Sequence, residues 1–181
     1  MKDGPVGAIV RHSTDDDLEA INGIYSHHAS HGAIGWELDE PTLEDMRRRR
    51  RTILKFQLPY LVCEAGGEIK GFAYAGLFRP RARYRYTVED SIYIAEGEVG
   101  RGFGRALLRR LIDECEKAGY RQMVAVVGDA DNKASIELHR RLGFVCAGRL
   151  RSSGVKFGRW LDTLLMQRPL GDGDKTPPNG G

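Results

Sequence analysis

A glycine-rich loop between a strand and a helix, Val99-Gly100-Arg101-Gly102-Phe103-Gly104, constrains this chain more than any other segment. Before it, Thr87 to Ala95 reads as a strand. After it, Arg105 to Ala118 places Ala106, Leu107, Leu111 and Ile112 at helical spacing. Free backbone N–H groups and the dipole at the start of such a helix form an anion site, and glycines let the backbone approach a phosphate closely. Two nucleotide fingerprints fail on spacing. A P-loop needs Gly-Lys-Ser/Thr, but Gly102 is followed by Phe103, and G-x-G-x-x-G counted from Gly102 and Gly104 puts Leu107 where the third glycine belongs. Taken alone, the loop is read either as a turn without a ligand or as the seat of some other phosphate-bearing molecule.

The flanking segments set the architecture. Ala8 to Arg11 is expected as a short strand, followed by a helix capped at Ser13 or Thr14 that opens on Asp15, Asp16 and Asp17 and continues through Leu18, Ile21, Ile24 and Tyr25. A second helix begins at Thr42 and runs through Arg47 to Arg51. Pro59 to Ala65, the turn Gly66-Gly67, and Ile69 to Leu77 form a hairpin. Gln122 to Val127 is a strand, Ala134 to Leu142 a helix closed by Gly143, and Val145 to Leu150 and Trp160 to Gln167 are late strands. The pattern predicts an α+β (mixed α/β) fold. Residues 1–8 are expected as a flexible leader, and residues 169–181, with Pro177-Pro178 and four glycines, as a disordered tail.

Composition narrows the function classes. A length of 181 residues with 41% hydrophobic and 29% charged residues suits one globular domain with its own core. The surplus of 28 Lys+Arg over 25 Asp+Glu, a net charge of +3, is too small for a dedicated nucleic-acid binder. No stretch approaches the ~18 apolar residues of a membrane span. The segment Met1 to Pro5 lacks the apolar run of a signal peptide, so a cytoplasmic protein is expected. Cys63, Cys115 and Cys146 are odd in number and far apart, which suits small side chains in or near the core. His27, His28 and His31 offer an i,i+4 pair on a helix face, yet there is no Glu at the metalloprotease position and no evident third ligand, so no metal is expected. The run Arg47 to Arg51 lacks interleaved aromatics and is read as a solvated helix face.

Two separated motifs, in order, then bear on the loop. Gly102 and Gly104 fill the glycine positions of a Q/R-x-x-G-x-G/A pyrophosphate loop. Asn132, Ala134 and Ser135, with Leu138-His139-Arg140-Arg141-Leu142-Gly143-Phe144, match an N-x-x-A/S…Y-x-x-L-G-F segment. On these residues the chain resembles the GNAT N-acetyltransferases. Phe78-Arg79-Pro80-Arg81, the stretch Tyr86 to Ile94, and Lys156-Phe157-Gly158-Arg159-Trp160 resemble the phosphinothricin and methionine sulfoximine acetyltransferase branch. The likeness runs from about Val10 to Arg168. It implies a mostly antiparallel central sheet flanked by helices, one acetyltransferase domain over residues 9–168, acetyl-CoA as co-substrate, and a homodimer. It also implies cofactor contacts from Ile92, Tyr93, Ile94, Gly100, Arg101, Gly102, Phe103, Gly104, Arg105, Asn132 and Ser135. Val99 departs from the usual Gln or Arg and removes one side-chain contact to the pyrophosphate.

Acetyl transfer to an amine requires the ammonium to lose a proton, negative charge to be stabilised on the thioester carbonyl, and a thiolate to leave. By resemblance, Glu89 is the base, backbone N–H groups around Ile92 to Ile94 polarise the carbonyl, and His139 stands where many relatives carry a Tyr that protonates the thiolate. Arg79, Arg81, Arg83 and Arg85 recur at period two, so an extended segment aims guanidinium groups one way, toward an anionic acceptor rather than a polyamine. The resemblance adds Pro80, Asp90 and Ser91 to the substrate site, and Trp36 is expected as an apolar wall. The cysteines match no nucleophile motif, so direct transfer to the α-amine of a small anionic amino-acid analogue is the expected reaction. Transfer to a protein N-terminus or another amine, or a non-catalytic CoA- or RNA-binding module, are the alternatives.

Overall fold

A computed structural model describes residues 5–31, 40–156 and 158–177. Seven strands among these form one sheet in the order β1-β2-β3-β4-β5-β7-β6. The sequence runs β1 (Ile9–His12), α1 (Leu18–His31), α2 (Leu43–Lys55), β2 (Tyr60–Ala65), β3 (Glu68–Leu77), β4 (Thr87–Ile94), α3 (Phe103–Lys117), β5 (Gln122–Val127), α4 (Lys133–Arg141), β6 (Val145–Lys156) and β7 (Arg159–Pro169). Every adjacent pair is antiparallel except β4 and β5.

The central strands are apolar on both faces because both faces are covered. Along β2, Leu61 and Cys63 turn toward α3, which buries Leu107, Leu108, Leu111, Ile112 and Cys115 at helical spacing. Tyr60 and Val62 turn the other way, against Leu18, Ile21 and Tyr25 of α1 and Met46 of α2. Local signals seat the helices: Thr42 accepts from the Asp45 amide at 3.2 Å, and its own amide donates to the Asp45 carboxylate at 3.0 Å. Gly66 and Gly67, with φ of 62° and 78°, make the tight β2–β3 turn.

The feature that makes a site is a failure of pairing. The parallel ladder runs from Thr87 opposite Gln122 to Asp90 opposite Ala125 and stops there. Yet β4 continues to Ile94 and β5 to Val127, so the two strands splay apart and leave one edge of Ser91 to Ile94 without a ladder partner.

Three expectations shift. Helix α3 starts at Phe103, two residues early, because Gly102 caps it in the left-handed conformation (φ 93°). The packed structure does not end at Arg168: Pro169 pairs with Gln122, Leu170 is fully buried, and Arg121 donates to the carbonyls of Gly173 and Thr176. One apolar anchor and one guanidinium thus hold a segment whose composition alone suggests a tail. Cys146 is exposed, because it lies on the edge strand β6, whereas Cys63 and Cys115 are buried.

Candidate active site

The splay between β4 and β5 opens into a cavity of about 640 Å³. At one end lies the start of α3. Its cap, Gly102, stands in a left-handed conformation, and its first turn carries no acidic side chain to compete with a bound anion for the leading N–H groups. A side chain at Gly104 would meet Leu138 at 3.2 Å, so the glycine lets α3 and α4 approach closely. Asn132 caps α4 by accepting from the Ser135 amide at 3.0 Å. Backbone amides, glycines and an open strand edge fit an elongated ligand carrying phosphates at one end.

Two adjacent carboxylates sit where the ladder breaks, and the strand pleat sends them to opposite faces. Glu89 lines the cavity on the α1–α2 side with Tyr25, His28, Arg49 and Tyr74. Burial, reinforced by the neighbouring Asp90 charge, pushes its carboxyl up to about 7. Asp90 points the other way and is 6% exposed. Its Oδ2 lies 3.0 Å from Nε2 of His139, whose Nδ1 lies 2.7 Å from the Ser135 carbonyl. Both ring nitrogens of His139 therefore face acceptors, the arrangement of a doubly protonated ring. Burial opposes that charge, but the Asp90 carboxylate and the Ser135 carbonyl together raise the His139 pKa above its usual value.

This geometry revises several expectations. Among the expected cofactor residues, Ile92, Tyr93, Ile94, Gly100, Gly102, Gly104, Arg105, Asn132 and Ser135 line the cavity. Arg101 instead turns to Glu98 at 2.5 Å, and the Phe103 side chain enters the core, leaving its backbone amide as its offering. Asp90 also borders the cavity, but its Oδ2 is taken up by His139, which leaves only Oδ1 without a partner. His139 borders the cavity as well, with both ring nitrogens in contacts, Nε2 with Asp90 and Nδ1 with the Ser135 carbonyl. Arg79, Pro80 and Arg81 are exposed and outside the cavity lining; Arg79 lies over the Phe78 and Tyr84 rings at 5.4 and 5.7 Å. Trp36 falls outside the described residues.

Two lining residues escaped the sequence reading. His28 donates from Nε2 to the Ile94 carbonyl at 2.8 Å, tying α1 to the unpaired edge of β4, and burial lowers its pKa so that it stays neutral. Its neighbour His27 lies 3.5 Å from Glu96, outside the cavity lining. The other is Arg49. A helical repeat drawn from buried Met46 would have found it three residues on.

A split between parallel strands, a glycine-capped helix at its mouth and a carboxylate of near-neutral pKa at its base define a transferase that draws on a phosphate-bearing donor. The chain matches the Acetyltransferase (GNAT) family over residues 21–144. It is 52% identical over 169 residues to a phosphinothricin N-acetyltransferase of Alcaligenes faecalis, covering 93% of this chain and 86% of the relative. It is 40% identical over 165 residues to an L-methionine sulfoximine/L-methionine sulfone acetyltransferase of Salmonella typhimurium, covering 89% and 94%. Among solved structures, a phosphinothricin acetyltransferase from Sinorhizobium meliloti in complex with AcCoA superposes with a TM-score of 0.94 at 43% identity, covering 97% of this chain and 95% of that one. The chain belongs to the GNAT family of acetyltransferases.

Proposed function

We propose that this enzyme moves the acetyl group of acetyl-CoA directly to the α-amine of a small anionic amino-acid analogue of the phosphinothricin, methionine sulfoximine or methionine sulfone type. The observation that carries the reading is Glu89, a half-buried carboxylate with a pKa pushed up to about 7, at the point where β4 leaves β5. A base of that strength accepts a proton from an ammonium at neutral pH and releases it readily. The names of the relatives supply the acceptor class.

Acetyl-CoA supplies an activated thioester, and the protein does the rest. The amides opening α3, with Gly100, Gly102 and Gly104 keeping the approach clear, would hold the pyrophosphate, joined by Arg101 and Arg105 and by the Phe103 amide. Asn132 and Ser135, farther along the cavity wall, would flank the pantetheine arm. The open edge of Ile92 to Ile94 is suited to polarising the acetyl carbonyl. Ser91 shares the Glu89 face and would border the acceptor. To Asp90 and His139 we assign the joining of α4 to β4 rather than proton transfer. The loop carrying Arg79, Pro80 and Arg81 leaves the sheet beside Glu89, since Gly76 pairs with Glu89 and Leu77 with Val88, and would give the acceptor end a basic rim. Residues 9–168 act as one acetyltransferase domain in this reading. The enzyme works in the cytoplasm as a homodimer, a state suited to the exposed Val145, Leu150, Val155 and Trp160 along β6 and β7.

Thiol release from acetyl-CoA tests the reading with phosphinothricin, methionine sulfoximine, methionine sulfone, methionine, spermidine and an N-terminal peptide as acceptors, run beside Glu89→Gln. Turnover concentrated on the first three and nearly lost in the variant is the expected result. Turnover of the peptide or spermidine alone would overturn the acceptor class.

A further inference from the structure

Five successive arginines on one helix cannot all face solvent. On α2, buried Met46 and core-packed Ile53 mark the inward face, and Arg49 and Arg50 share it at spacings of three and four. The other three pair along the helix surface: Arg47 with Glu44 at 2.8 Å, Arg48 with Asp45 at 2.6 Å, Arg51 with Glu44 at 3.7 Å. Arg50 is a structural tie, donating to the Ser13 hydroxyl at 2.8 Å, the Ser13 carbonyl at 2.5 Å and Asp15 at 2.5 Å. Arg49 alone of the five lines the cavity, with its guanidinium 5.3 Å over the ring of buried Tyr25.

Its position on the cavity wall is informative. The other lining arginines, Arg105 and Arg141, belong to α3 and α4 on the opposite side of the sheet. His28, on the Arg49 side, has its charged form disfavoured by burial. Arg49 therefore brings positive charge to the wall that also carries Glu89. An amino-acid acceptor whose amine faces Glu89 carries its carboxylate one carbon away, and two carboxylates that close repel unless a cation faces the second. An arginine stacked on a tyrosine ring is pre-oriented for such a task and offers a fork matched to a carboxylate. Phosphinothricin, methionine sulfoximine and methionine sulfone have different side groups, the last two uncharged, and their common anion is the α-carboxylate.

We propose that Arg49 is a specificity-determining residue that binds the α-carboxylate of the acceptor and so makes the enzyme require an amino acid rather than a simple amine. This rests on the acceptor class proposed above. It gives the anion-recognition task, expected from Arg79 and Arg81, to an arginine on a different element.

The test compares methionine sulfone with its carboxamide, on the full chain and on Arg49→Gln and Arg49→Lys, with acetyl-CoA affinity measured in each as a check on folding. For the unaltered enzyme, kcat/KM should fall about 10- to 100-fold from acid to carboxamide. In Arg49→Gln the acid should drop to the carboxamide level, chiefly through KM, so that the preference collapses toward unity while acetyl-CoA affinity holds; Arg49→Lys should recover part of it. A preference unchanged in Arg49→Gln, or an unaltered enzyme indifferent to the carboxamide, overturns the assignment and leaves the acetyltransferase reading standing. Calorimetric binding of methionine sulfone to the CoA-loaded protein separates the two failures. Binding lost in Arg49→Gln without turnover in the unaltered enzyme supports Arg49 and sinks acetyl transfer to this acceptor, whereas no binding to the unaltered protein sinks both.

Discussion

Glu89 and Asp90 are neighbours of the same chemical type, yet they lie on two faces of one strand and have opposite fates. On the α1–α2 face, Glu89 meets a cavity lined by aromatic rings, and burial drives its pKa up to about 7. On the α4 face, Asp90 meets His139 at 3.0 Å and becomes half of a buried pair. The pleat alone separates them by face, and the partner on each face decides the role. A carboxylate lacking a counter-ion becomes a proton acceptor of near-neutral strength, while one given a counter-ion becomes a fastening.

The sharpest way to break this contrast is Glu89→Gln. The amide keeps shape and volume but cannot accept a proton, so the rate of acetyl transfer should fall about 10²- to 10⁴-fold. Thermal stability should barely move, because no paired charge is lost. Steady-state kinetics and a melting curve on the same preparation check both halves. A rate within threefold of the unaltered enzyme would remove Glu89 as the base.

Asp90→Ala should show the reverse balance. It leaves the His139 ring buried between the Ser135 carbonyl and an empty space, and removing one partner of a buried pair typically costs about 3 kcal/mol. Chemical denaturation would report that loss, and activity below the transition should fall far less than in Glu89→Gln. A variant as stable as the parent but inactive would make the Asp90–His139 pair part of the chemistry after all.

How far this was readable from the sequence follows from how local each signal is. The β2–β3 hairpin was legible in Gly66-Gly67, and the α2 start in Thr42, because a few adjacent residues specify each. The far half of β6 was not: Ser152, Ser153 and Gly154 carry no apolar alternation, the strand lies at the sheet edge, and its register shifts between Leu150 and Gly154. In the site, Glu89 and the glycine loop stood out by motif. The Asp90–His139 contact joins residues 49 apart, and only the packing of α4 on β4 creates it. Arg49 was hidden by its neighbours, since a run of identical residues conceals the helical phase that sends two inward, only one of them to the cavity, and three outward.

The smallest expected effect tests whether the two faces are electrically independent. Asp90 is the second cause of the elevated Glu89 pKa, after burial. Glu89 works as the carboxylate, so kcat/KM should rise with pH through a limb near 7, below the range of an acceptor's own amine. A neighbouring anion disfavours the carboxylate, so replacing it by the neutral amide in Asp90→Asn should let Glu89 ionise earlier and move the limb to lower pH by less than about one unit. The amide can still bond to His139, which keeps the fold. The ring is then expected to lose its proton, and that lost positive charge pulls the limb upward. A pH–rate profile therefore reads the net of two opposed changes. A downward shift means the Asp90 charge reaches across the strand, no shift means burial alone sets the base, and an upward shift means the His139 charge was the stronger influence on Glu89.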